Sequence, residues 1–457
     1  MGRITLQQAA QWCGGQIDDK YKDVTFLGAT NDTRKLEQGQ LFVALQGVRD
    51  GHAFIPAALE KGAAAVLCSR CEGDYPAIIV EDPRIALGEI AKNERLRLQM
   101  QVVGITGSVG KTTTKEMVAA VLEKKYRVRK TPVNHNNDIG MPMAILSMPE
   151  DTEVAVLEMG MNHFREIAYL SGIAKPDVAV IVNIGTMHIE HLGSMEGILQ
   201  AKLEILEGMG PSAKVIFNGD DPLLWNQRKV LPGAVYFGEN NPESAVRAKN
   251  VRSGEGETCF EAQRGELAFL VTLPVEGKHY VPDAMAAIAV GLEFGVAPED
   301  ICDALADFQN AGGRQEMIQA GACTIIKDCY NAGPESMAAA LAVLHGKPGR
   351  RIAVLGDMLE LGSCTQAEHY KVGRLAAENA DILLSYGPNS GRMLKGAITG
   401  GMTGKEARAF EDREKLADAL LQIVKPGDVI LVKGSRGMRM ELIIESFLNK
   451  FCAPEDK

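Results

Sequence analysis

The sequence predicts an α/β protein of three domains with a parallel sheet at its centre. Three observations predict it. At 457 residues the chain exceeds what one compact core accommodates. Short runs of β-branched and aliphatic residues recur with helix-like stretches between them. Several of those runs are apolar at every position, as strands covered by helices on both faces must be.

The first pattern occupies residues 1–98. Runs at 41–45, 64–67 and 77–80 alternate with helix-like stretches such as 55–61, predicting a small α/β domain. Apolar residues at helical spacing from Ile85 to Met100 close it, and Val102-Val103-Gly104-Ile105-Thr106 then reads as a buried strand, so a boundary falls near residue 99. Residues 99–315 repeat strand, loop and helix, with further strands at 154–157, 178–182 and 215–217. The stretch from about 235 to 275 alternates at Phe260/Ala262 and Ala268/Leu270 and predicts antiparallel strands attached to that sheet; 282–291 is a small-residue helix. After Gly312-Gly313-Arg314 a third pattern, residues 316–457, places strands at 324–326, 352–355, 382–384 and 429–432. No short-period repeat interrupts this order.

Composition excludes several classes. Hydrophobic residues at 46% and charged residues at 24% are the balance of a folded globular protein. The formal net charge of −10 argues against a nucleic-acid partner held by phosphate contacts. The first residues lack the apolar core of a signal peptide and no apolar run approaches the ~20 residues that span a bilayer, so no membrane partner is expected and the expected location is the cytoplasm. Nine cysteines, from Cys13 to Cys452, fit reduced thiols. The close pair Cys68/Cys71 lacks the second pair that a structural zinc site needs.

The strongest chemical signal follows the strand at 102–106. Gly107-Ser108-Val109-Gly110-Lys111-Thr112-Thr113 leads into a helix, so backbone N–H groups and the helix N-terminus point at one place. There Lys111 supplies a point charge for phosphates and the Thr112 hydroxyl a ligand for Mg²⁺, the pattern of an ATP-binding P-loop. The strict pattern has a glycine where this chain has Ile105. Glu158 and His188 follow two further strands, at the carboxyl ends where open parallel sheets hold ligands, and are candidate metal ligands. Singly, such a Glu is more often a helix cap or ion pair and such a His more often structural.

Read with their neighbours, these segments resemble the ATP-dependent Mur ligases of peptidoglycan synthesis over nearly the whole chain. Asn31-Asp32-Thr33-Arg34, Gly47 and Asp50-Gly51-His52 are similar to that family's uridine-nucleotide-binding domain. Asn134-His135-Asn136-Asn137 resembles its asparagine segment near the phosphates, with Glu158 and His188 in its metal-binding segments. Lys202, by itself an ordinary helix lysine, stands where the family has a carbamylated lysine that bridges metal. In the third domain, the segments around Asp328, Tyr330, Asn331 and Ser336, the run Leu355 to Gly362, and Lys433 with Arg436 match in order; Tyr-Asn-Ala-x-Pro-x-Ser is similar to the dipeptide-adding branch.

The resemblance implies a central P-loop, ATPase-like parallel-sheet domain between a small α/β amino-terminal domain and a Rossmann-like carboxyl-terminal one. It implies ATP and Mg²⁺, with Gly107 to Thr113, Asn136, Asn137, Arg314 and Asp328 at the nucleotide. Catalysis would fall to Lys111, Glu158, His188 and Lys202. Thr33, Arg34, Gly47, Asp50, Gly51, His52, Tyr330, Asn331, Ser336, Lys433 and Arg436 would contact the substrates, a UDP-N-acetylmuramoyl-tripeptide and D-alanyl-D-alanine. A monomer is expected. Two departures stand out: Tyr280 and Asp283 replace common asparagines, the second near the adenine, and an aspartate accepts but cannot donate there. A nucleotide-dependent switch and a folate-polyglutamate ligase are the rival readings; the first lacks its Asn-Lys-x-Asp base-reading motif here.

Overall fold

The computed structural model describes residues 4–310 and 313–451, which leaves residues 1–3, 311–312 and 452–457 outside it, Gly312 and Cys452 of the sequence reading among them. Three parallel or mainly parallel sheets organise the chain. The first has four strands in sequence order, Ala29–Thr30, Leu41–Val43, Ala65–Cys68 and Ala77–Ile79, all parallel, with a separate antiparallel ribbon of Ile4–Thr5 and Thr25–Phe26.

The central sheet has nine strands. Its parallel part runs Val235–Gly238, Lys214–Asn218, Val178–Ile181, Gln101–Thr106, Val154–Glu158, Val128–Lys130. The stretch expected to be antiparallel from about 235 divides. Val235–Gly238 continues the parallel sheet and Val246–Gly254 pairs parallel to it; only the pairs onward to Glu257–Arg264 and Leu267–Leu273 are antiparallel. Tight turns such as Glu255-Gly256, both at positive φ, make the later reversals, whereas the longer connection from 239 to 245 permits a crossover.

The third sheet, of six strands, runs Glu316–Ala320, Cys323–Asp328, Val429–Lys433, Arg351–Gly356, Ile382–Tyr386, Ala407–Phe410, antiparallel only at its first pair. Among the described residues no helix is long and apolar enough to cross a membrane, and eight cysteines are free thiols.

Both faces of the central sheet are covered, which is why its strands read as unbroken apolar runs. Val103, Ile105, Val156 and Val180 pack against the helices Lys111–Glu123 and Tyr280–Glu293. Val102, Ala155, Leu157, Ala179 and Ile181 face the other way, into a core shared with Ile90, Met141, Ile145 and Leu170. That second core continues into the first domain through the helix Pro83–Leu98, which starts at an Asp82 cap with Pro83 in its first turn.

Arg95 fastens this helix to the central sheet. Its nearly buried guanidinium donates to the carbonyls of Ala174 (2.8 Å) and Lys175 (3.1 Å) and to Asp177 (2.9 Å), whose carboxylate also accepts the Val102 N–H at 2.8 Å. Arg95→Ala strips both carbonyls of their donor, so it is expected to destabilise the chain by roughly 1–3 kcal/mol, read as a lower urea midpoint.

Candidate active site

A cavity of about 970 Å³ opens at the carboxyl ends of the central strands and receives side chains from all three sheets' domains, among them Arg84, Lys111, Glu158, Asp328 and Lys433. Its floor is the phosphate loop. Gln101–Thr106 ends where the loop begins, and the helix Lys111–Glu123 starts at Gly110, whose φ of 83° suits glycine. Space decides it as well: a Cβ on Gly110 would stand 2.3 Å from Asp283 Oδ1.

The loop is held from the neighbouring strand. Asn183, two residues beyond Val178–Ile181, accepts the N–H groups of Ser108 and Val109 at 3.0 Å each and donates back to the Val109 carbonyl at 3.0 Å. The Ser108 hydroxyl exchanges hydrogen bonds with Gly185 at 2.8 and 3.1 Å. Lys111 lies back along the loop, its ammonium donating to the carbonyls of Gly107 (2.8 Å) and Ser108 (3.2 Å). Burial pushes its pKa down, and Glu158 partly offsets that.

Glu158 ends the adjacent strand and is buried, with its carboxylate accepting from the Thr112 hydroxyl and from Asn136 at 2.8 Å each. Lys115, fully buried one turn below Lys111, lies 4.0 Å from it. His188 reaches the cavity from the loop after Val178–Ile181, its Nδ1 donating to Glu360 at 2.6 Å. Lys202 is 1% exposed and its ammonium makes no hydrogen bond or ion pair among the described residues. Burial, then the charge of Lys111, drives its pKa well down, toward the neutral amine.

Arg314, between the central and third sheets, donates to the Thr112 hydroxyl at 3.1 Å and stacks 3.9 Å above the Tyr330 ring. Its buried Nη1 has no partner among the described residues, an orphaned donor beside the glycine-rich loop. Tyr330 in turn donates to Asn134 across the cavity. Asp328 and Lys433 form a buried pair at 2.7 Å, with Lys433 also donating to the Asn331 carbonyl at 2.9 Å.

Other expected site residues are placed elsewhere or occupied locally. Asn137 lines the cavity while capping the Gly140 N–H at 2.8 Å, and Ser336 bonds within its own helix turn to Gly333. Arg436 is exposed, paired with Glu441 at 3.1 Å and outside the cavity lining. Thr33, Arg34, Gly47, Asp50, Gly51 and His52 also stand away from the cavity. Arg34 pairs with Asp32. Asp50 holds His52 Nδ1 at 2.7 Å, and His52 Nε2 accepts the Ser69 N–H at 3.1 Å, which ties a second, separate loop cluster in the first domain.

Lys115 and Arg84 escaped the sequence reading, which took in Asn183 and Glu360 only as members of matched segments, without a role for either. Asn183 had a usable signal, a polar residue just past a buried strand; the others depend on partners distant in sequence. Asp283 lies beneath the phosphate loop, where its carboxyl accepts the Thr114 hydroxyl at 2.6 Å. Tyr280 accepts from Asn310 at 2.7 Å and donates to Gln315 at 3.2 Å.

Among the described residues no three His, Cys, Asp or Glu side chains converge as a metal cluster. Mg²⁺ fits such a sparse set, since it keeps several waters and takes phosphate oxygens; the Thr112 and Glu158 oxygens, 2.8 Å apart beside the phosphate loop, are hard donors of the right kind.

Sequence models of the Mur ligase family match most of the chain: its catalytic domain at residues 24–95, its middle domain at 105–291 and its glutamate ligase domain at 313–436. The UDP-N-acetylmuramoyl-tripeptide–D-alanyl-D-alanine ligase of Bacillus subtilis is 40% identical, over 98% of this chain and 99% of that protein. This chain belongs to the Mur ligase family. Among solved Mur ligases, MurF from Acinetobacter baumannii superposes with a TM-score of 0.91 at 32% identity, covering 98% of this chain and 99% of the other. MurF from Thermotoga maritima, solved in complex with ADP, gives 0.81 at 31% identity, covering 93% and 98%.

Burial raises the Asp283 pKa to about 7, Thr114 and Arg314 opposing it. The folded state therefore holds this proton more tightly than the unfolded chain, and the stability this lends is lost as pH rises from about 4 through about 7. Asp283→Asn should remove that loss: its stability advantage over the parent grows across this window in urea melts and is constant above it.

Proposed function

We propose that this chain is an ATP-dependent ligase that joins D-alanyl-D-alanine to UDP-N-acetylmuramoyl-tripeptide, a step of cytoplasmic peptidoglycan precursor synthesis. The observation that carries the reading is one cavity in which a phosphate loop with its lysine, Lys111, meets the acid Glu158 and the third-domain side chains of Asp328, Tyr330 and Lys433. In this reading residues 1–98 hold the UDP end, 99–315 the ATP, and 316–457 the dipeptide.

The chemical task is to join an unreactive carboxylate to an amine in water. Transfer of the γ-phosphoryl group to the tripeptide carboxylate makes an acyl phosphate, which the dipeptide amine attacks with loss of phosphate. Loop amides, Lys111 and Arg314 hold the phosphates and counter the charge that builds on the moving group. Lys111, resting on its own carbonyls, needs only to swing outward to do so. Thr112 and Glu158 would hold Mg²⁺, which draws charge from the phosphates, with His188 beside them. Lys202, buried, without a partner among the described residues and with its pKa pushed down toward the neutral amine, is suited to take up CO₂ as a carbamate, an anion that would add an oxygen donor near Lys111.

Phosphate release with ATP, Mg²⁺ and the UDP-linked tripeptide tests the reading: it should require D-alanyl-D-alanine, and release that ignores the dipeptide would refute it. Lys111→Ala should lower turnover on the order of 10²–10⁴-fold with the fold intact by circular dichroism. Lys202→Ala should lose activity that short-chain carboxylic acids partly restore; an untreated variant as active as the parent excludes the carbamate.

A further inference from the structure

His188 and Glu360 come from different domains, one from the loop after Val178–Ile181 and the other from the loop after Arg351–Gly356. Nδ1 and Oε2 stand 2.6 Å apart. A carboxylate only accepts, so Nδ1 carries a proton. His188 lines the cavity, and its Nε2 makes no hydrogen bond among the described residues. Both residues hold left-handed backbone, at φ 65° and 64°, which costs energy outside glycine and persists where the surroundings impose it.

The same loop is gripped at further points by the third domain. Glu335, at the start of the helix Pro334–His345, accepts the Thr186 N–H at 2.9 Å and its hydroxyl at 3.1 Å. A Cβ on Gly333 would come within 2.4 Å of Met187 Sδ, and one on Gly362 within 3.1 Å of Glu190 Cα, so both faces meet at backbone distance. The Glu190 N–H points to the Glu360 carbonyl at 3.5 Å.

We propose that Glu360 is the positioning residue for His188: docking of the third domain sets the tautomer and orientation of the imidazole, so the centre is complete only when the domains are closed. A ring nitrogen that must present a lone pair to a cation or phosphate-bound water is commonly oriented by a carboxylate on its other nitrogen. Here that carboxylate arrives with the domain that brings Asp328, Tyr330 and Lys433 to the same cavity. The inference rests on the ligase reading for its consequence, but the geometry it tests does not.

The tautomer is read on the full-length chain labelled with ¹⁵N-histidine and loaded with ADP without Mg²⁺, since a cation on Nε2 would itself fix the proton at Nδ1; kcat and KM are read with Mg²⁺ present. Eight histidines are present, and His188 is assigned by the resonance lost in His188→Gln. The parent should show this ring protonated at Nδ1. In Glu360→Ala it should shift toward the Nε2–H form, while kcat falls about 10–100-fold and the KM for ATP stays within about twofold. Glu360→Gln, which keeps an acceptor, should restore the Nδ1–H form and most of kcat. Glu360→Gly makes the same truncation with a residue suited to φ 64°, and covers the case in which alanine strains the turn. An Nδ1–H ring that persists in both truncations, or a kcat equal to the parent's, overturns the proposal. The tautomer readout needs no substrate, so it decides the positioning role separately from the ligation assay, which decides the ligase reading.

Discussion

Parallel register at the middle of the central sheet is the constraint on which everything else depends. Gln101–Thr106 lies between Val154–Glu158 and Val178–Ile181, with Ile105 opposite Glu158 and Thr106 opposite Ile181. Because all three run the same way, their carboxyl ends arrive at one level and deliver the phosphate loop, Glu158 and Asn183 side by side. A slip of one residue would turn Glu158 to the other face of the sheet. The interleaved apolar residues prevent it, since the same slip would exchange Val156 and Leu157 between two closely packed cores.

Burial then does for charge what register does for geometry. The loop, Lys111, Lys202 and Asp283 lie where water is scarce, and each ionisable group is displaced toward its neutral form. Such groups are costly to keep when nothing is bound. Lys111 is quieted by two carbonyls, Asp283 by Thr114, and Glu158 by Thr112 and Asn136. Arg314 Nη1, at the cavity wall, has no such partner among the described residues. The third domain closes over this arrangement through Tyr330, Glu335 and Glu360, each touching the central domain with a polar atom.

Much of this was legible in the chain. The unbroken runs at 102–106, 154–157 and 178–182 announce a covered parallel sheet because a strand buried on both faces has no polar side. Gly107 to Thr113 announces its chemistry because only a glycine-rich turn entering a helix brings amides, an ammonium and a hydroxyl to one point. The family likeness extended the reading to Glu158, His188 and Lys202, all of which lie in the central domain. In the first domain Arg34, Asp50 and His52 make local bonds outside the lining of the cavity, and Arg436 pairs with Glu441. The place where antiparallel pairing starts was also misjudged, because alternation marks a half-exposed strand and not its direction.

The sequence by itself determined the fold class, the order of the domains and the phosphate loop, since each follows from local periodicity or from contiguous residues. Tertiary structure alone decided which polar groups meet. That Asp283 lies under Gly110, that Asn183 clasps the loop and that Glu360 reaches His188 all join residues 74 to 173 positions apart. Such pairings depend on how sheets and helices stack, and side-chain spacing along one segment carries no record of it.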